Sequence, residues 1–229
     1  DLNYDPTMAL PDFLPLKMKT ECIFAKASNV WGSPAWRNEL SLEDNVKRSI
    51  PHFLKFLSLA CSPVTNTIKK SYDAFAIEVH QVELYASNVD QFAETVRRTL
   101  YTLSEYDPSG IRCMHVGNVK DIGKKTWHFT FNAEPIFVTT FAPFYPDSHP
   151  RYQHGIKHTA YIMFQPEFSF NVHEIGPDYP FRETNFDNPQ TVRDRIRAGF
   201  RNAGRPFTLP MDTISYPVST HTVKGMKED

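Results

Sequence analysis

His149, His154 and His158 fall in one loop and strand entrance, PDSHPRYQHGIKH, and Glu167 follows a few residues later. A neutral imidazole nitrogen binds iron or zinc, and two histidines with one carboxylate make an open non-haem iron site. The His149/His154/Glu167 set is therefore a candidate iron or zinc centre. Its His-x4-His-x3-His spacing is not the helical HExxH arrangement, and a surface or hydrogen-bonded role is the commoner one for any single histidine. His128 differs in kind, because it alternates with Trp127 and Phe129 in a sheet-forming run. A histidine so placed ligates a haem iron axially or hydrogen-bonds within a core. Arg193, Arg195, Arg197, Arg201 and Arg205 crowd one segment near the end of the chain. They could hold a carboxylate in a bidentate grip or form a solvated basic face. Cys22, in TECIFAKAS, is a thiolate ligand, a nucleophile or inert packing, and no histidine lies close in sequence to activate it. Neither a Gly-rich phosphate loop nor a GxSxG elbow occurs, so these motifs argue for neither nucleotide binding nor triad hydrolysis.

The elements that must position these groups can be read from periodicity. The block from Thr126 to Phe170 holds four histidines and two short sheet-forming runs. Trp127, Phe129 and Phe131 alternate with His128, Thr130 and Asn132; the NAEP turn at 132–135 and a returning run at 136–141 complete a hairpin. Residues 157–164 make a third strand. Before the block, Phe75, Ile77 and Val79 alternate with Ala76, Glu78 and His80, the signature of a half-buried strand over 74–80 that leaves His80 facing away from the core. The spacing of Val89, Phe92, Ala93, Val96, Leu100 and Leu103 predicts a helix over 89–103 capped by Asn88, with Gln91 three residues on. A helix in two pieces, broken near Pro51, is expected over 42–60. A last helix is expected over 189–203, with Asn188 as cap, Pro189 in the first turn, Val192, Ile196 and Phe200 on the buried side and Gly204 as stop. This order argues an α+β fold, a single domain with a mainly antiparallel sheet flanked by helices. The flanks, 1–20 and 218–229, read as arms or tails.

Size and charge narrow the partners. At 229 residues the chain suits one sizeable core, and folding at this length removes roughly 70–75% of the extended surface from water. A net charge of −1 supplies no drive toward nucleic acid or an anionic membrane, which leaves small molecules as the expected partners. The longest apolar runs fall far short of the roughly 20 residues that span a bilayer. No basic region followed by an apolar stretch marks a secretory signal at the start of the sequence. Three scattered cysteines make no disulfide framework or CxxC site, and a reducing, cytoplasmic setting fits them. The aromatic content of 14% suits either a pocket for a flat apolar ligand or an aromatic-rich core.

Several short segments carry a family resemblance: Cys22-Ile23-Phe24-Ala25-Lys26-Ala27, Trp127-His128-Phe129-Thr130-Phe131 with Glu134-Pro135 and Phe137, Phe141-Ala142-Pro143, His149-Pro150-Arg151-Tyr152, and Gln165-Pro166-Glu167 with Ser169-Phe170. On these the chain resembles the YqcI/YcgG family from about residue 20 to 206. Members include haem-dependent enzymes that N-hydroxylate guanidine or amine nitrogens of amino acids. The resemblance implies a haem b held by a histidine, O2 as co-substrate, and transfer of one oxygen atom to a substrate nitrogen. Carried over by position, it makes His149 the first choice as iron ligand and His128 the alternative. Trp127, Phe129, Phe141 and Tyr152 would stand around the cofactor. Arg151 would stand near haem or substrate, and Glu167 would pair with a cationic guanidinium or amine. No flavin or nicotinamide fingerprint occurs, so electrons would come from an external donor. A non-catalytic haem sensor or carrier is the alternative outcome, and a homo-oligomer is compatible with either.

Overall fold

The computed structural model describes residues 5–7, 9–60, 72–110, 129–173, 175 and 184–206. A five-stranded sheet forms its middle layer, built from β1 (Val30–Gly32), β2 (Ala74–His80), β3 (Phe129–Phe131), β4 (Glu134–Phe141) and β5 (Thr159–Pro166) in the order β1-β2-β5-β4-β3. β1 lies parallel to β2, and every other pairing is antiparallel. The expected α+β architecture with a mainly antiparallel sheet is what the chain forms. Helices α1 (Phe13–Lys19), α2 (Ile23–Ala27), α3 (Leu42–Ala60), α4 (Val89–Glu105), α5 (Phe168–Val172) and α6 (Val192–Asn202) accompany it.

Alternation along the strands sorts the sheet into two faces. Phe75, Ile77 and Val79 of β2 lie beside Ile162 and Phe164 of β5, Val138 of β4 and Phe129 and Phe131 of β3, and all are buried against α3 and α4. Phe53 of α3 stacks on Phe131 at 4.8 Å and on Phe75 at 4.9 Å between ring centroids. Much of the aromatic content is thus ordinary core on this face. The second face carries Ala74 and Ala76, Phe141, Tyr161 and Met163, covered by Leu10, Phe13 and Leu16. Small alanines on β2 let α1 approach closely. β2 is therefore buried on both faces rather than half-buried, and only its end residue His80 is exposed. The stretch read as an N-terminal arm contains α1, whose Phe13 and Leu16 are buried.

Four boundaries differ from the sequence reading. α3 runs unbroken through Pro51. A proline inside a helix costs about 3 kcal/mol, but Leu42, Val46, Ile50, Phe53 and Leu57 bury one continuous stripe across it. The hairpin turn is two residues rather than four. Asn132 and Ala133 both take left-handed φ, 53° and 61°, the geometry that matches strand twist in a tight hairpin, so Glu134 and Pro135 join β4. β5 begins and ends two residues later than expected, at Thr159 and Pro166. α6 starts at Val192 because Thr191 and Asp194 form a reciprocal capping box, while the Asn188 side chain accepts instead from Gln190. Gly204, at φ 72°, closes α6 as expected, with the Arg205 N–H on the Phe200 carbonyl. α4 and its Asn88 cap, which accepts the Gln91 N–H at 3.0 Å, lie where the periodicity places them.

Candidate functional site

The second face is not filled. Phe137, Thr139 and Phe141 of β4 and Met163 and Gln165 of β5 form the floor of a cavity of about 120 Å³. Phe13, Leu16 and Lys17 of α1 and Phe24 and Ala25 of α2 stand over it, and Arg193, Ile196, Arg197 and Phe200 of α6 close it. Arg151 enters from the loop between β4 and β5. The walls are therefore mostly aromatic and aliphatic, with cationic groups set among them.

Arg193 and Arg197 are buried one helical turn apart, whereas Arg195 is exposed, so α6 is not the uniformly solvated basic face that its arginine content allows. Arg197 donates to the Thr184 hydroxyl at 3.2 Å. Arg201 stacks on Phe186. Arg205 pairs with Glu21 at 2.6 Å and donates to the Asp147 carbonyl at 2.7 Å, tying α6 to both α2's approach and the β4–β5 loop. Lys17 donates to the Ser28 carbonyl, and burial pulls its pKa down against the pull of Asp73. Burial likewise lowers Arg151, whose guanidinium lies 5.6 Å from the Phe141 ring centroid.

Two wall residues carry reactive or unsatisfied atoms. Cys22 caps α2, its sulfur accepting the Ala25 N–H at 3.4 Å. Burial raises its pKa, more than that N–H and Arg151 lower it, so the thiol form is favoured over the nucleophilic thiolate. Thr139 is only 5% exposed, and its hydroxyl has no hydrogen-bond partner among the described residues. At the Lys17 end, buried Asp73 accepts the Asn29 N–H at 2.7 Å and lies 2.7 Å from His173 Nε2, with the His173 ring edge-on to Phe24. That carboxylate orients the imidazole as a base-positioning partner would.

The residues singled out from the sequence distribute unevenly around this cavity. Arg151 and Phe141 line it. His149 does not. Its ring stacks on Tyr145 at 4.3 Å, and Tyr145 belongs to the opposite side of the sheet, where its hydroxyl meets Thr140 at 2.8 Å. His149 Nδ1 accepts the Arg151 backbone N–H, and burial, then Arg151, lowers its pKa to about 4, leaving the imidazole neutral. Tyr152 lies beside His154 and under Arg205, at the outer end of the loop. Phe129 is fully buried on the α3/α4 face, near Phe164, so it walls the core and not the cavity. The cause is the two-residue period: Phe129 pairs with Ile136, whereas the cavity is floored by the alternate residues 137, 139 and 141. Glu167 follows β5, its N–H on the Pro135 carbonyl, close enough to Glu134 to raise that carboxyl's pKa once burial has done so. It is not among the cavity-lining side chains. Trp127 and His128 lie outside the described residues.

Among the described residues, no three His, Cys, Asp or Glu side chains come together as a metal site, so the His149/His154/Glu167 set is not assembled there. Tyr145 holds His149, His154 sits in an outer turn at φ 52°, and Glu167 follows the far end of β5. A haem meets a mixed wall. Aromatic side chains suit its ring faces and arginines its propionates, but no described wall residue offers an imidazole. The cavity, at about 120 Å³, is also well below the roughly 300–1,000 Å³ of pockets for drug-sized ligands. The described residues do not fit a haem.

Sequence reasoning missed Lys17, Thr139 and the Asp73–His173 pair. Thr139 was within reach, since it alternates with Phe137 and Phe141 along one strand. Lys17 and Asp73–His173 carry no local signal: the pair is separated by 100 residues and meets only across the folded sheet edge.

The model of the YqcI/YcgG family matches residues 16–197, which takes in the sheet, the cavity floor and α6 as far as Arg197. No curated protein and no solved structure matches the chain. Among the described residues no helix is long and apolar enough to cross a membrane.

Proposed function

This chain belongs to the YqcI/YcgG family, and on that premise we propose that it binds a small, largely apolar molecule in the cavity on the second face of its sheet. One observation carries this reading: the face that α1, α2 and α6 cover encloses about 120 Å³, while the same strands are tightly packed on their other side. An apolar cavity of about 150 Å³ accepts one benzene ring, so the space matches a ligand, or part of one, of single-ring size. Met163 in the floor reports occupancy. Titrating toluene into protein labelled at the methionine methyls is expected to give a saturable shift of the Met163 signal. A response that never saturates up to the solubility limit overturns the proposal.

A second reading is the haem-dependent N-hydroxylase that the family resemblance implies, acting on a guanidine or amine nitrogen with O2 and an external electron donor, in the cytoplasm. What favours keeping it is that His149, held as neutral imidazole, shares one loop with cavity-lining Arg151. A neutral imidazole is the metal-binding form. Hemin titration decides it: a Soret band that is lost in His149→Ala, with hydroxylated product under reducing conditions, supports the enzyme. Protein that leaves the free-hemin spectrum unchanged ends it.

A further inference from the structure

We propose that the molecule bound in this cavity is uncharged and carries a hydroxyl, so that the site takes a phenol or a similarly compact alcohol. The inference rests on the cavity being a ligand site and names what that site recognises. Its first support is the Thr139 hydroxyl, which is buried in the cavity floor with no hydrogen-bond partner among the described residues. A buried polar group left unsatisfied costs free energy, and such a group in a native structure calls for an explanation. Gln165 stands beside it. Thr139 pairs with Met163 and Phe137 with Gln165, so Thr139 and Gln165 are diagonal neighbours on one face of two adjoining strands. Gln165 lines the cavity and is buried, and its carboxamide makes no hydrogen bond among the described residues.

The charges of the wall are engaged within the protein. Lys17 donates to the Ser28 carbonyl, Arg197 donates to the Thr184 hydroxyl, Arg151 lies over the Phe141 ring, and Arg193 has interactions of its own. These cations call for no anionic ligand, and what the floor leaves open is a neutral pair. A threonine hydroxyl and a carboxamide can each donate and accept. A ligand hydroxyl answers both through a single atom: its oxygen accepts from one group and its proton goes to the other. Size favours the same choice, because about 120 Å³ holds little beyond one ring. Phe137, Phe141 and Met163 would take that ring.

The test titrates toluene, phenol and benzoate into the full chain, read at the Met163 methyl. Phenol has the size of toluene, so the ratio of their affinities isolates the hydroxyl. Phenol is expected to bind roughly three- to tenfold more tightly than toluene, and more tightly than benzoate. Thr139→Val keeps the shape and removes the hydroxyl, so it is expected to erase most of that preference and to leave toluene unchanged. Gln165→Leu should do the same from the other end of the diagonal, whereas Thr139→Ser should retain the preference. Toluene binding in each variant checks that the cavity has kept its form. Three results overturn the hydroxyl while leaving the cavity reading intact: phenol no tighter than toluene, as when a water molecule satisfies both groups; benzoate tighter than phenol; or a phenol preference that survives both Thr139→Val and Gln165→Leu. If none of the three compounds binds, both readings fall together.

Discussion

One sheet presents two faces built from alternating residues of the same strands, and they have been put to different uses. On the α3/α4 face, Phe53, Phe75, Phe131 and Phe164 pack ring against ring with centroids 4.8–6.5 Å apart. On the other, Phe137 meets Phe170 and Phe141 meets Phe13 at 5.6 and 6.0 Å, but both also border the cavity, which they share with arginines, a lysine and a hydroxyl that has no partner among the described residues. The lesson is that aromatic content does not mark a binding site. What marks this one is that its aromatic side chains border a cavity and share the wall with buried charge.

That contrast can be broken at its strongest point. Phe53→Ala should destabilise the fold by about 3–5 kcal/mol, the usual cost of emptying a filled aromatic site, measured by urea unfolding. Phe141→Ala at the cavity should cost less than half as much, because its ring already forfeits contacts on the open side. Equal losses would mean that the two faces are packed alike.

Titration separates the faces next. Glu78 lies on the second face, where burial and then Asp12 raise its pKa from 4.5 to about 7. A carboxyl raised on folding favours the folded state below its unfolded pKa, and that advantage is lost as pH rises from 4.5 through 7. His149 runs the other way. Its folded pKa is depressed from 6.5 to about 4, so its contribution is present above 6.5 and lost as pH falls toward 4. The two slopes oppose each other in the shared window. Glu78→Gln should remove the falling slope, worth on the order of 2 kcal/mol, and leave stability that rises with pH up to 6.5. Unfolding midpoints measured between pH 4.5 and 7.5 check this; a parallel profile in both proteins would refute it.

The smallest expected effect concerns the cavity's closing helix. Thr191→Ala removes half of the α6 capping box and should cost about 1 kcal/mol. Because α6 supplies Ile196 and Phe200 to the cavity wall, its loosening should raise amide exchange in α6 and weaken toluene binding, with α3 and α4 unaffected. Exchange that rises uniformly across the molecule would show that α6 does not open separately.

The sequence by itself determined most of the elements and the class of fold. The period of two in β2 and the period of 3.6 in α4, with its Asn88 cap, are local properties, written in neighbouring residues. The segments carrying the family resemblance were equally local. Tertiary structure alone decided which side of the sheet would be filled. Phe129 and Phe141 are the same residue type in adjoining strands, and only the register of β3 on β4, together with the layer that covers each face, sends one into core and the other to the cavity. The same holds for Pro51, kept in helix by packing across it, and for Lys17, whose segment read as an arm until α1 folded over the sheet. His149 and Arg151 are two residues apart, yet stacking on Tyr145 holds the imidazole off the cavity wall while the guanidinium lines it. Spacing along a chain constrains local geometry; which groups face a common space depends on how distant segments pack, and no window of sequence contains that information.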